Sequence, residues 1–418
     1  MIRAELLLTD LEEVATLDRG PVPRTGARMR ELGRIPDAAI GMDAGRVVYV
    51  GPSRGVGRRV SLRRGGQRRS LRGHVIVPGF VDAHTHLLFA GERSSEVSQK
   101  IDGKSYLDIA RSGGGLFSTV RATRRAASSD LLTQALGRLH RMQSYGTTTA
   151  EVKSGYALTH AGEIRLLSLI PQLERRSRLR LVPTFLGAHA RPPEFAHRPE
   201  EYVRAMVQRT IPEVARRGLA RFADVFCEPG FFSASQSERI LREAGANGLG
   251  AKIHADEFVP SGGARLASRL GARSADHLLA TPPADFDGLA KAGVTAVLLP
   301  VTPFASLSKH ASPGRPLIDA GVAVALGSDL CPNSWVESMP TVMAHAVYSA
   351  RLTPAEALTA ATINAAHAIG EEEHAGRISA GREADLAVFE LPSVEHIAYR
   401  MGVVPVEVYR QGIRISPR

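Results

Sequence analysis

Cysteine is almost missing from this chain, with two in 418 residues, Cys227 and Cys331. They can form at most one bridge, so a disulfide scaffold is excluded and two reduced thiols in a cytoplasmic protein are expected. No apolar run reaches the roughly 18 residues that a membrane span needs. The opening MIRAELLLTDLEEVATLD has acids where a secretory leader would need a clean apolar stretch, so neither membrane nor export is expected. One stretch lacks acids altogether. From Arg54 to Arg72 the chain carries eight arginines, and without them the formal charge falls from +11 to +3. Aromatics are also absent from that stretch, and no nucleic-acid motif lies beside it. It reads as a solvated loop, and no nucleic-acid partner is expected.

With 44% hydrophobic and 23% charged residues the chain can bury a large core, which excludes wholesale disorder. Residues 1–75 read as short strands and turns, such as Glu5–Leu8, Ala39–Met42 and Val47–Val50. From about Ile76 short apolar runs alternate with longer amphipathic stretches, the pattern of strand–helix units around a parallel sheet. Eight such runs stand out: Val75–His86, Gly146–Val152, Leu179–Gly187, Phe222–Phe226, Gly250–His254, Ser274–Leu278, Thr295–Leu299 and Val322–Ser328. Eight strands in about 250 residues fit a (β/α)8 TIM-type barrel. Among the intervening helices, Thr353–Ile369 is expected as one helix, with Thr353 as N-cap and Pro354 at its first position. After Gly376 the strand-and-turn texture returns. The expected organisation is a barrel over 76–375 and a smaller composite β-sandwich domain built from 1–75 and 376–418.

Active sites of such barrels lie at the C-terminal ends of the strands. Here His84, His86, the stretch from Glu151 to Tyr156, His189, His254, Glu257, His277 and Asp329 fall at those ends, with apolar residues before them. His84 and His86 are i and i+2 in a strand, so they face the same way. His254 adds a third imidazole and Asp329 a carboxylate. Three histidines and one aspartate suit Zn²⁺ or Fe²⁺ better than cations that prefer all-oxygen shells. Glu257 follows His254 by three residues, so the chain must turn for its carboxylate to enter the site and move protons beside a metal. His277 could orient or deprotonate a water. The triple glycine Gly113–Gly115 lacks the lysine of a phosphate loop and reads as a flexible segment.

The segments PGFVDAHTH, HADE, SADH and GSD resemble the amidohydrolase superfamily. Longer segments such as HTHLLFAGERSSEV, TTAEVKSGYAL, PTFLGAHARPPE and ALGSDLCPNSW resemble its branch that opens imidazolone rings in histidine degradation. The resemblance runs from near residue 5 to about residue 415. It implies one metal ion, zinc or iron, on His84, His86, His254 and Asp329. It implies substrate contacts at Arg93, Tyr156, His189, Glu257, Cys331, Asn333 and Ser334, with His277, Glu257 and Asp329 in catalysis. The implied reaction is hydrolysis of the cyclic amide of 4-imidazolone-5-propanoate to N-formimino-L-glutamate, with a homodimer as the expected assembly. Binuclear relatives carry a bridging lysine on the fourth strand. That strand here is FADVFCEPG, which favours one metal, and Lys153 lies on the second. One departure stands out: after Asp329 many members read Asn-Pro-Gly, whereas here Leu330 is followed by Cys331, Pro332 and Asn333. A thiol hydrogen-bonds poorly beside a carboxamide, which keeps open the alternative of a mononuclear deaminase or cyclic-amide hydrolase for a related heterocycle. A catalytically dead binding scaffold would need a broken ligand set, and no ligand is missing.

Overall fold

The computed structural model describes residues 1–104, 108–109 and 112–415. The N-terminal region supplies β1 (Ile2–Ala15), β2 (Arg34–Asp43), β3 (Arg46–Pro52), β4 (Val60–Ser70) and β5 (Val75–Pro78). The barrel follows with β6 (Phe80–Asp82), β7 (Thr147–Lys153), β8 (Arg180–Ala188), β9 (Phe222–Cys227), β10 (Gly250–Ala255), β11 (Ser274–His277), β12 (Thr295–Leu298) and β13 (Val324–Leu326). The C-terminal region adds β14 (Leu386–Phe389), β15 (Glu407–Arg410) and β16 (Ile413–Arg414).

β6 to β13 lie side by side in chain order and all pair in parallel. The first and last strands approach each other through Ala83 N–H to the Leu326 carbonyl (3.3 Å), Asp329 N–H to the His84 carbonyl (3.0 Å) and His86 N–H to the Leu330 carbonyl (3.0 Å). Helices fill the connections, and their apolar faces join the strands' outward residues in the main core. The eight expected runs therefore meet in one barrel.

Both chain ends build the second sheet, in the order β16-β15-β14-β5-β1-β2-β3, with β4 also paired to β1. One apolar run crosses from this sheet into the barrel. Val75–Pro78 pairs with β14 and Phe80–Asp82 joins β7. Gly79 between them needs its missing side chain, because a Cβ there would lie 2.4 Å from the Thr148 side chain.

Two expectations are corrected. The arginine run is not a loop: Val60–Ser70 is a strand paired in parallel with β1, its register shifted where Gly65 and Gly66 fall. β1 offers an edge there, and long arginine side chains remain solvated on an edge strand that charge protects from further pairing. Thr353–Ile369 is not one helix. It is Pro354–Ala360, started by a Thr353–Glu356 capping box, and Ile363–Ala368. The break places Asn364 so that its amide donates to the Arg24 (2.8 Å) and Val324 (2.9 Å) carbonyls and accepts from Arg24 N–H (2.8 Å). Those bonds tie the N-terminal segment to the barrel and satisfy buried polar groups a continuous helix would leave elsewhere.

Candidate active site

Four donor atoms converge at the C-terminal end of the barrel. His84 Nε2 is 3.3 Å from His86 Nε2, which is 3.4 Å from His254 Nε2. Asp329 Oδ1 is 3.6 Å from His84 Nε2 and 3.5 Å from His86 Nε2. Tetrahedral bonds of about 2.0–2.1 Å set neighbouring donors about 3.3 Å apart, so these groups fit a metal ion. Two further observations agree. Burial above all, then Lys153 and neighbouring imidazoles, holds His84 well below the usual histidine range, and burial followed by His189 does so for His86. Neutral imidazole is the ligand form. His84 Nδ1 also lies 2.6 Å from Asp276 Oδ2 and His254 Nδ1 3.0 Å from Asp224 Oδ2. Such carboxylates fix which ring nitrogen faces a metal.

Asp329 reaches the site through a left-handed backbone (φ 53°) and is steadied by the Thr302 hydroxyl, which donates to Oδ2 at 2.7 Å. Burial pushes its carboxyl up to about 6. The turn after His254 is made at Asp256, also left-handed (φ 50°). The Asp256 carboxylate accepts from the N–H groups of Ser261, Gly263 and Ala264 and from the Ser261 and Thr281 hydroxyls. That clamp turns Glu257 into the cavity, where its Oε2 is 3.7 Å from His277 Nε2. Burial, with Asp329 and Glu228 adding, lifts Glu257 well above the ordinary carboxylate range. Burial keeps His277 well below its usual value, and its own backbone is left-handed (φ 73°).

A cavity of about 430 Å³ opens over these groups. Of the twelve residues anticipated from sequence, ten line it: His86, Arg93, Tyr156, His189, His254, Glu257, His277, Asp329, Cys331 and Asn333. His84 lies fully buried beneath it, and Ser334 is enclosed with its hydroxyl unbonded. The His189 ring stacks on His86 with centroids 4.8 Å apart, and Tyr156 meets both rings edgewise or tilted. Burial and the nearby His254 lower His189 to about 3. Arg93 donates to Glu96 at 2.9 and 2.7 Å. Burial raises the Cys331 thiol, so it stays protonated.

Several residues here were not anticipated. Lys100 lines the same cavity and its ammonium lies 2.9 Å from Asn333 Oδ1. Thr302 contacts Asp329, Asp224 contacts His254 and Asp276 contacts His84. Beneath the donors lies a charged layer: Lys153 Nζ is 2.8 Å from Glu151 Oε2, 2.7 Å from Asp224 Oδ2 and 3.6 Å from Asp276 Oδ2, and Lys252 Nζ is 2.9 Å from Glu151 Oε1. Asp224 and Lys252 therefore lie inside strands expected to be apolar up to their reactive ends. Strand periodicity carried the signal, because Lys252 is i−2 to His254 and must share its inward face.

The family model that matches residues 75–413 describes the amidohydrolase family. An imidazolonepropionase of Symbiobacterium thermophilum is 45% identical over 98% of this chain and 96% of its own length. One of Bacillus velezensis is 43% identical over 96% and 94%. Among solved structures, a zinc-bound adenosine deaminase from Xanthomonas campestris superposes with a TM-score of 0.70 at 19% identity, covering 99% of this chain and 93% of that one. At that identity the likeness concerns the fold.

Proposed function

The chain belongs to the amidohydrolase family, and within it to the imidazolonepropionases, and from that premise we propose how its residues open the ring of 4-imidazolone-5-propanoate to give N-formimino-L-glutamate. The observation that carries this reading is the set of four donors, mutually 3.3 to 3.6 Å apart along the measured edges, at the floor of a cavity with cationic side chains on its wall.

His84, His86, His254 and Asp329 would hold one ion, and their chemistry suits zinc or iron. Such an ion supplies Lewis acidity, which brings the pKa of water down toward about 7. The overall change adds water across one bond: its oxygen joins the ring carbonyl carbon, the carbon–nitrogen bond breaks and the nitrogen takes a proton. His277 and Asp329 take up the proton lost by the water. Glu257, whose hold on a proton burial strengthens, holds the ring-nitrogen side and hands a proton to the leaving nitrogen. Arg93 pairs with the propanoate, where a guanidinium fork matches a carboxylate. Lys100 adds a second cation there. Tyr156 and His189 hold the ring, and Cys331, Asn333 and Ser334 shape the side of the site toward the product. No helix among the described residues is long and apolar enough to cross a membrane. We assign the enzyme to the cytoplasm, as a homodimer; two buried, unbridged thiols suit a reducing compartment.

The test is freshly made imidazolone propanoate, followed by loss of its ultraviolet absorbance with and without chelator. Chelator-sensitive turnover without ammonia release is expected. Ammonia release would instead select the deaminase reading, which Cys331 in the cavity wall keeps in view.

A further inference from the structure

We propose that Lys153 is a positioning residue for the metal centre, yoking the two carboxylates that orient His84 and His254. This rests on the ligand set proposed above. Lys153 is fully enclosed at the end of β7 and is not among the residues lining the cavity. Its ammonium meets Glu151 at 2.8 Å and two further carboxylate oxygens, each of which also faces a ligand imidazole. Asp224 Oδ2 is 2.7 Å from Lys153 Nζ and 3.0 Å from His254 Nδ1. Asp276 Oδ2 is 3.6 Å from Lys153 Nζ and 2.6 Å from His84 Nδ1. Lys153 is thus the cation in contact with both oxygens, and the charge of Lys252 adds to the hold on Asp276. The Asp276 oxygen decides that Nδ1 of His84 carries the ring proton and Nε2 offers its lone pair to the cavity, and the Asp224 oxygen attracts the Nδ1 side of the His254 ring. Asp224 is held a second time, through its Oδ1 and the His254 N–H at 3.2 Å, and Asp276 through the Ser274 hydroxyl at 2.6 Å.

Lys252 is the internal control. It is equally buried and equally charged, but its ammonium meets Glu151 at 2.9 Å and the Ala83 carbonyl at 3.2 Å. Removing either lysine leaves the layer short of one positive charge. Removal of Lys153 takes away the contact partner of both Asp224 and Asp276, whereas removal of Lys252 leaves those contacts in place and takes only its charge from Asp276.

The experiment compares wild type, Lys153→Met and Lys252→Met as purified protein. Metal content, the dissociation constant for Zn²⁺ against a competing chelator and the visible bands of the Co²⁺-loaded protein are measured, with thermal unfolding of each metal-free form. Lys153→Met should weaken Zn²⁺ binding about 10- to 100-fold, as loss of outer-sphere support does, and should alter the Co²⁺ bands. Lys252→Met should weaken Zn²⁺ binding less, since it leaves both contacts of Lys153 in place. Equal weakening in the two variants, or wild-type affinity in Lys153→Met, overturns the proposal. Wild type that takes up no metal overturns both this and the ligand set beneath it. If Lys153→Met does not unfold cooperatively, the charge-balanced pair Lys153→Met with Asp224→Asn replaces it. Zn²⁺ binding weaker there than in Asp224→Asn alone supports the yoke through Asp276, and affinity equal to that of Asp224→Asn removes it.

Discussion

Two clusters of ionised side chains lie toward opposite ends of the barrel. The upper one joins Lys153 and Lys252 to Glu151, Asp224 and Asp276, all fully enclosed. The lower one sits where barrel meets sheet: Arg180, at the start of β8, lies 2.8 Å from Glu383 and 3.2 Å from Glu371, and Arg410 on β15 lies 2.6 Å from Glu383. Both are networks of ion pairs, yet their neighbours differ. The upper cluster ends on imidazole nitrogens, and the lower one on backbone and on the seam between two domains. Desolvation offsets much of the attraction in any buried ion pair, so such pairs are weak evidence of stability in themselves. What each cluster touches distinguishes them: the imidazoles of His84 and His254 above, the seam between barrel and sheet below.

Substitutions should separate the two ends. The largest effect belongs to the upper site. Glu257→Gln should lower kcat by about 10²–10⁴-fold, the range for losing a general acid–base group, while bound metal and melting temperature stay near wild type. Steady-state kinetics with metal analysis read this, and a full-rate variant would remove Glu257 from the chemistry. Next come the cavity cations. Losing a hydrogen bond to a charged group costs about 1.5–3 kcal/mol, so Arg93→Ala should raise KM roughly 10- to 100-fold, and Lys100→Met should raise it less, each with a smaller change in kcat. Unchanged KM in both would mean that the carboxylate binds elsewhere.

The smallest catalytic effect is expected at the seam. Glu383→Gln should leave kcat/KM within about twofold, while lowering stability by about 1–3 kcal/mol in urea unfolding. Its pH dependence has a definite sign. Against the opposing effect of burial, Arg410 and Arg180 hold the Glu383 carboxyl down at about 2, compared with 4.5 unperturbed. A carboxylate depressed on folding contributes stability that is fully present above its unfolded value. That contribution is lost as pH falls from about 4.5 toward 2, so the variant should show a flatter acid limb than wild type. A steep limb unchanged in Glu383→Gln would place acid sensitivity in other groups.

Much of this was legible before folding was considered. The eight barrel runs could be read because a strand buried on both faces needs a short continuous apolar stretch, as in Val324–Leu326. The donor quartet could be read because His84-Thr85-His86, His254 and Asp329 close such stretches. β4 could not be read, because nothing in VSLRRGGQRRS alternates. Its pairing is decided by the edge that β1 presents. The helix over Thr353–Ile369 was overextended because its break satisfies Asn364 partners that lie far away in sequence. Asp224 and Asp276 went unread because each acts through a histidine on another strand.

The sequence by itself determined which side chains stand at strand ends and which face they take, since a strand's period of two is local. Only the tertiary structure decided that Lys153 would lie between two aspartates from separate strands, and that Arg180 would meet Glu383 across a domain seam. Those encounters depend on barrel register and domain docking, and long-range packing sets both.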